Sequence, residues 1–376
     1  MGVVRPRSRF GWYGVGAVAA SSHGYRAEGE NVPISVRVES STGGGAVILE
    51  SDLARVLIRP RAGGKVASLI DKTTGKDLFW RDQRETPDPP CYGDRWERHD
   101  MSGWEDCLPT VAADTYPAWP WQGVALPEHG EVWALPWLTC VRPSAVEVSV
   151  HGVRLPYHFE KRISLDGALL RLHHRLSNPS AFPMHYVWAA HPLFQVRSGM
   201  RIVLPDGGRL YVDWSRDDHL GQYLDTISWP RTRDIHGDVR QLDRIDDAAP
   251  RRADKLYLSP LTAGWCGLYD PNDGYAVALS FDARRLPALG VWINQGGWPL
   301  DREGDHTVAL EPTTGHPDLL HVAVARGTAT TIGPGEEHTW DVALCFGHAT
   351  SVPSLLHAYN LRDGRRMDGE GEGQQQ

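Results

Sequence analysis

Apolar and polar residues alternate with a period of two along most of the chain. The runs include Val-Glu-Val-Ser-Val at 146–150, a stretch at 169–176 with Leu170, Leu172 and Leu176 on one side, Tyr-Ala-Val-Ala-Leu-Ser-Phe at 275–281, and 339–346 with Trp340, Val342, Leu344 and Phe346 aligned. Successive residues of a strand point to opposite faces, so each run predicts a strand with one buried side. Gly, Pro, Asn and Asp clusters separate the runs, as at 206–208 and 270–274, and such clusters read as turns. No long helical periodicity and no strand–helix alternation intervenes. The pattern predicts an all-β protein, one large antiparallel β-sandwich over residues 47–360.

Residues 1–46 are rich in Arg, Ser and Gly and carry one short apolar run, GWYGVGAVAAS. That run has the outline of a secretion signal but is glycine-rich and lacks leucine, so a flexible N-terminal extension of a cytoplasmic protein is the expectation. No apolar run approaches the roughly 20 residues needed to span a membrane as a helix. Residues 361–376 are polar, charged and glycine-rich and are expected to be disordered.

Composition narrows the partners. The chain has 376 residues, 41% hydrophobic and 23% charged, with a formal net charge of −8. That balance supports a large core and argues against nucleic acid or an anionic membrane surface as partner. The five cysteines are scattered without a CxxC pair, so free thiols are expected and neither a disulfide framework nor a metal site is indicated. Fifteen tryptophans supply core volume, and indole faces also suit the apolar faces of ligand rings.

Several motifs occur in a telling order. A strand ending in Pro60-Arg61-Ala62-Gly63-Gly64 leads to an Asp-Lys-Thr-Thr-Gly turn, and then follow GWEDCLPTV (103–111), LPEHGEVWALPW (126–137), MHYVWAAHPLF (184–194), VWINQGGWP (291–299), ALEPTTGHPD (309–318) and IGPGEEHTWDVAL (332–344). Over roughly 300 residues this series resembles the galactose mutarotase-like, or aldose 1-epimerase, superfamily. The resemblance implies the supersandwich fold, a small carbohydrate as partner, and no cofactor. It also implies three catalytic positions: Glu311 as general base, His191 as general acid and His129 beside the sugar ring.

Glu311 follows the strand-like run His-Thr-Val-Ala-Leu and precedes Pro312, so it is expected at a strand end with its carboxylate facing a ligand. The chemistry calls for such residues. Exchanging the anomers of an aldose requires removal of the C1-hydroxyl proton and delivery of a proton to the ring oxygen, hence one base and one acid at the same ring. Each of the three also has a plainer reading, Glu311 and His129 as turn residues and His191 as a packed strand histidine. Trp104, Glu105, Trp133, Asn294 and Trp298 are candidates for ring contact; Trp298 follows two glycines that would let a ligand approach the backbone. His306, His316, Asp213 and Asp217 carry no assignment. His173 and His174 are adjacent on a strand and face opposite ways.

The histidine contexts here, Glu-His-Gly-Glu-Val-Trp and Ala-His-Pro-Leu-Phe, depart from the Leu-His-Gly-Gly and Asn-His-x-Tyr-Phe of the best-known mutarotases. The chain therefore resembles a divergent branch, and its sugar cannot be carried over. Two other functions remain open. A hydrolase or lyase of the same fold could pair Glu105, Glu128 or Glu131 with Glu311, and a non-catalytic carbohydrate-binding protein would keep the tryptophans alone.

Overall fold

The structure, a computed structural model, describes residues 34–39, 45–84, 89–246, 251–302, 304–362 and 365–366. The expectations for residues 1–33 and 367–376, extension, secretion signal and tail, fall outside these residues.

Alternation along the strands becomes a two-sheet sandwich. In His158–Asp166, Phe159, Lys161, Ile163 and Leu165 are buried while their neighbours are more exposed. The strand pairs antiparallel with Leu169–Ser177, which pairs in turn with Glu337–His348, aligning Leu170 with Leu344 and Leu172 with Val342. These strands belong to an antiparallel sheet of eight, and a second antiparallel sheet of eleven packs against it. The shared core contains Ile58, Val66, Trp104 and Leu310 from the larger sheet and Phe159, Leu172 and Val342 from the smaller. All five cysteines are unpaired. Among the described residues, no helix is long and apolar enough to cross a membrane.

Two short helices, Leu320–Arg326 and Val352–Ala358, accompany the sheets. The second lays Val352, Leu355 and Leu356 against Ala276, Ala278, Ala343 and Cys345. That cover explains why Tyr275–Phe281 is buried along its whole length: one face meets the other sheet and the other meets the helix. Sheet pairing begins ahead of residue 47, because Ser35–Glu39 pairs with Ala46–Glu50 at the edge of the larger sheet.

A buried polar group sits between the sheets. Lys161 donates to Asp106 Oδ2 at 2.6 Å, His174 Nε2 lies 3.2 Å from Asp106 Oδ1, and Trp188 Nε1 donates to the same oxygen at 3.0 Å. Burial works against the Asp106 charge, but Lys161 and His174 outweigh it and hold the carboxyl below its ordinary range. Because Asp106 points inward, Glu105 and Cys107 point to the opposite, outer face of the larger sheet.

Candidate active site

That outer face carries a band of chemically active side chains. His191 on Ala189–Gln195 aligns with Glu105. Gly290 on Ala288–Gln295 aligns with Glu311 on one side and Tyr257 on the other, and Trp292 aligns with Lys255. The register between Arg209–Ser215 and Arg252–Ser259 shifts between Val212 and Trp214, leaving Asp213 as the extra residue of a bulge, a device that re-aims a side chain.

Glu311 does not end its strand. His306–Thr313 continues through Pro312 to Thr313. The ladder to Ala189–Gln195 is interrupted instead, with partners Ala189–Thr313 and Leu193–Ala309 and none between. Pro192 and Pro312 both lie in that interruption, and neither has an N–H to donate. The proline read as a terminator thus breaks pairing on one side only.

Glu311 is fully buried. Its Oε2 accepts a hydrogen bond from Lys255 Nζ, and its Oε1, which has no hydrogen-bond partner, lies 3.8 Å from His191 Nε2. The carboxylate lies over Gly290, where an added Cβ would come within 2.9 Å of Oε2. Burial pushes Glu311 upward and Lys255 pulls it back, leaving it above its ordinary value. Lys255 also lies 3.5 Å from Asp318 Oδ1, which accepts from the Tyr257 hydroxyl. Burial opposes the ammonium, but Asp318 and Glu311 outweigh it and raise the Lys255 pKa.

The two imidazoles stand with ring centres 4.6 Å apart, yet their surroundings drive them in opposite directions. Burial, reinforced by His129 and Lys255, holds His191 well below its ordinary value, and its Nδ1 has no partner. For His129, burial also disfavours the proton, but Cys107 and Glu105 outweigh it and move the pKa well above. The Glu105 contact is direct, with Oε1 2.7 Å from His129 Nδ1. His129 adopts a left-handed backbone, φ 57°, a conformation that costs energy outside glycine and tends to mark functional positions. Gly130 follows at φ 71°, where a Cβ would lie 2.0 Å from the Leu108 carbonyl oxygen.

His129, His191 and Lys255 face a cavity of about 440 Å³ walled by Trp96, Trp214, Trp292 and Trp298, with Glu128, Asp213, Tyr223 and Asp318 also lining it. Trp96 stacks on Trp298 at 5.7 Å and tilts over His129 at 4.3 Å. The volume is in the range of small-ligand sites.

Of the residues singled out in the sequence, His129, His191 and Trp298 line this cavity, whereas Glu311 lies beneath its wall behind Lys255. Glu105 supports His129 from behind. Trp133 is buried, its Nε1 donating to the Glu128 carbonyl at 2.9 Å. Asn294 holds the backbone of the next turn, donating to Trp298 O at 2.7 Å and accepting from the Gly297 and Trp298 amides at 3.0 and 3.1 Å. Trp104 lies in the core, edge-on to Phe79 at 6.4 Å. Sequence reasoning missed Lys255, Asp318, Tyr257, Trp96, Trp214 and Trp292. Ligand-type atoms of Glu105, Cys107 and His129 also lie within 4.8 Å of one another, a grouping that the absence of a CxxC pair did not suggest. Burial pushes the Cys107 thiol up to about 11.

No protein-family model and no curated protein matches the sequence. Solved structures do match across most of the chain. A proposed aldose 1-epimerase from Klebsiella pneumoniae superposes with a TM-score of 0.64 at 14% identity, covering 89% of this chain and 88% of its own. Another from Escherichia coli gives 0.57 at 15%, covering 84% and 100%. A galactose mutarotase-like protein from Lactobacillus casei gives 0.55 at 16%, covering 81% and 100%. The chain has the galactose mutarotase-like fold. At these identities the mutarotase-like fold is what is shared, and the chemistry must be argued from the residues of this chain.

Proposed function

We propose that this protein binds one carbohydrate ring in the tryptophan-walled cavity and interconverts its anomers, as an aldose 1-epimerase-like isomerase. The observation that carries the reading is the imidazole pair at the cavity wall, ring centres 4.6 Å apart, with Glu105 against His129 and Glu311 beyond His191, surroundings that favour a proton on the first ring and disfavour it on the second. Environments that push two adjacent titratable groups apart supply an acid and a base at one pH.

The division of roles differs from the resemblance. His129, kept charged by Glu105, suits the donor to the ring oxygen. Neutral His191 suits the acceptor of the C1-hydroxyl proton, and Glu311 behind it stabilises the imidazolium that results. Glu311 thus acts through His191 as an electrostatic and positioning group, while Lys255 fixes its carboxylate. The ring opens to the aldehyde, C1 rotates, and the same two protons return on reclosure. No bond to the protein forms, and no cofactor enters this sequence of steps.

The hydrolytic alternative finds less support. Glu105 is engaged by His129, and Glu131 accepts from the Tyr92 hydroxyl at 2.9 Å and from the Arg154 amide at 2.8 Å. Neither is free to face Glu311 across a ring, as paired carboxyl chemistry requires; Glu128 does line the cavity, but Glu311 lies beneath its wall and does not oppose it there.

The test is exchange spectroscopy between α- and β-anomeric proton signals over a panel of free aldoses. Glu311→Gln and His191→Asn should each slow exchange by about 10²-fold or more with a smaller change in binding, and the double variant should be little worse than the slower single. Near wild-type exchange in either single variant would refute the mechanism. Binding without exchange by the wild-type protein on every sugar would favour a lectin-like function.

A further inference from the structure

Carboxyl groups outnumber the cationic ones around the cavity. Among the described residues three carboxyl side chains, Glu128, Asp213 and Asp318, line it against Lys255 and the His129 imidazole, which Glu105 engages from behind, and no arginine does. Its one lysine, Lys255, is already committed to Glu311 and Asp318. A phosphate or carboxylate on the ligand would therefore find no unengaged lysine or arginine among the lining residues. Four indoles share the same walls, and indole faces attract cations. Carboxyl groups and indoles around one cavity form a surround suited to a positively charged ring substituent.

Resting on the reading of the cavity as a carbohydrate site, we propose that its ligand is an amino sugar, a ring whose ammonium group is received by Asp213 and the indole walls. Asp213 occupies the bulge of Arg209–Ser215, beside Asp318, and its Oδ1 accepts a long hydrogen bond from the Asp318 amide, 3.3 Å. Asp318 itself is engaged by Tyr257 and Lys255, which leaves Glu128 and Asp213 with capacity for a ligand, and of these Asp213 adjoins the indole pair Trp214 and Trp292. His191, more than nine-tenths buried and with an unpartnered Nδ1, completes the polar floor.

The proposal has a proton signature. Burial and Asp318 push the Asp213 carboxyl well above its ordinary range, against the pull of Lys255. Tyr223 and Tyr257 are the other titratable groups that feel it, and both are raised further by carboxylates nearby. An arriving ammonium favours the ionised carboxylate, so the Asp213 proton leaves for solvent as the salt bridge forms. An uncharged ring gives no such release.

The experiment is titration calorimetry near pH 6.5 with 2-amino-2-deoxyhexoses, the parent hexoses, the N-acetylated amino sugars and hexose 6-phosphates, each in two buffers of different ionisation enthalpy. Anomer exchange is measured on the same samples. The expected result is that amino sugars bind about tenfold or more tightly than parent or N-acetylated sugars, with proton release for the amino sugars alone. Asp213→Asn should bring the preference close to one and remove the release. Equal or tighter binding of parent hexoses or phosphates would overturn the proposal, and if those sugars exchanged, the isomerase reading would stand without it. Preferential amino-sugar binding with no exchange would leave the proposal standing and remove the isomerase. No binding of any sugar would overturn both.

Discussion

Replacing Lys255 by methionine tests the arrangement beneath the cavity most directly. Methionine keeps most of the aliphatic volume and removes the ammonium, so Glu311 loses the donor to Oε2 while its Oε1 already has none. With Glu311 fully buried and the Lys255 side chain 7% exposed, water cannot replace that donor without rearrangement. If Glu311 stays ionised, breaking a buried pair on one side costs about 3–5 kcal/mol. If it takes a proton instead, the cost at pH 7 against an ordinary carboxyl is about 1.4 kcal/mol per unit, at most about 3.4 kcal/mol, less the part the wild type already bears through its raised Glu311. The two limits bracket a loss of about 2–5 kcal/mol. The pH dependence has a definite sign. A carboxyl whose folded-state pKa is raised favours the native state at low pH, so the deficit of the variant is small near pH 4.5, the ordinary value for Glu311, and grows as pH rises. Urea unfolding from pH 4.5 to 8 measures both, and Lys255→Met/Glu311→Gln should recover most of the loss at pH 7 because the fully buried carboxylate is then gone, while Asp318, partly exposed, keeps its hydrogen bond from Tyr257. A deficit under about 1 kcal/mol at pH 7, or one independent of pH, would refute the reasoning.

Trp298→Ala should raise the KM for anomer exchange more than it lowers kcat, because the indole holds a ring face and moves no proton; steady-state polarimetry decides, and a dominant fall in kcat would contradict it. Asp106→Asn leaves the Lys161 ammonium unpaired between the sheets and should cost about 3–5 kcal/mol at pH 7 by urea unfolding. Since the Asp106 pKa is depressed in the fold, its contribution is present above the unfolded value and is lost as pH falls toward the folded one, so the variant and wild type should converge in strong acid. Dialysis against a chelator should leave exchange unchanged; activity lost and restored by zinc would instead place an ion among Glu105, Cys107 and His129.

Strand alternation carried the fold because one face of each predicted run meets the opposite sheet. It carried less of the site. Lys255 and Tyr257 alternate with Leu256 and Leu258, a pattern that reads as a polar, solvent-facing side. Periodicity distinguishes two faces but cannot say whether the polar one meets water or a cavity. His129 and His191 were legible through flanking motifs, whereas Trp96 opens a single 3-10 turn and Asp318 lies in a loop, both placed by contacts with distant strands. Asn294 and Trp104 were chosen for their residue types, but hydrogen bonding to the next turn and packing against Phe79 account for them. The depth of Glu311 was hidden for a related reason. Its strand continues past a proline because the gap in pairing falls on one side only.

Gly290 gives the resting site an unusual mutational neighbourhood. The carboxylate of Glu311 lies where a methyl group would otherwise be, so its concealment depends on a hydrogen atom in place of a side chain. A single nucleotide change converts glycine to alanine, and the added carbon would press the carboxylate away from the sheet, toward Lys255 and the cavity beyond. Descendants of this sequence could thus pass in one step from a glutamate hidden behind Lys255 to one exposed at the cavity wall.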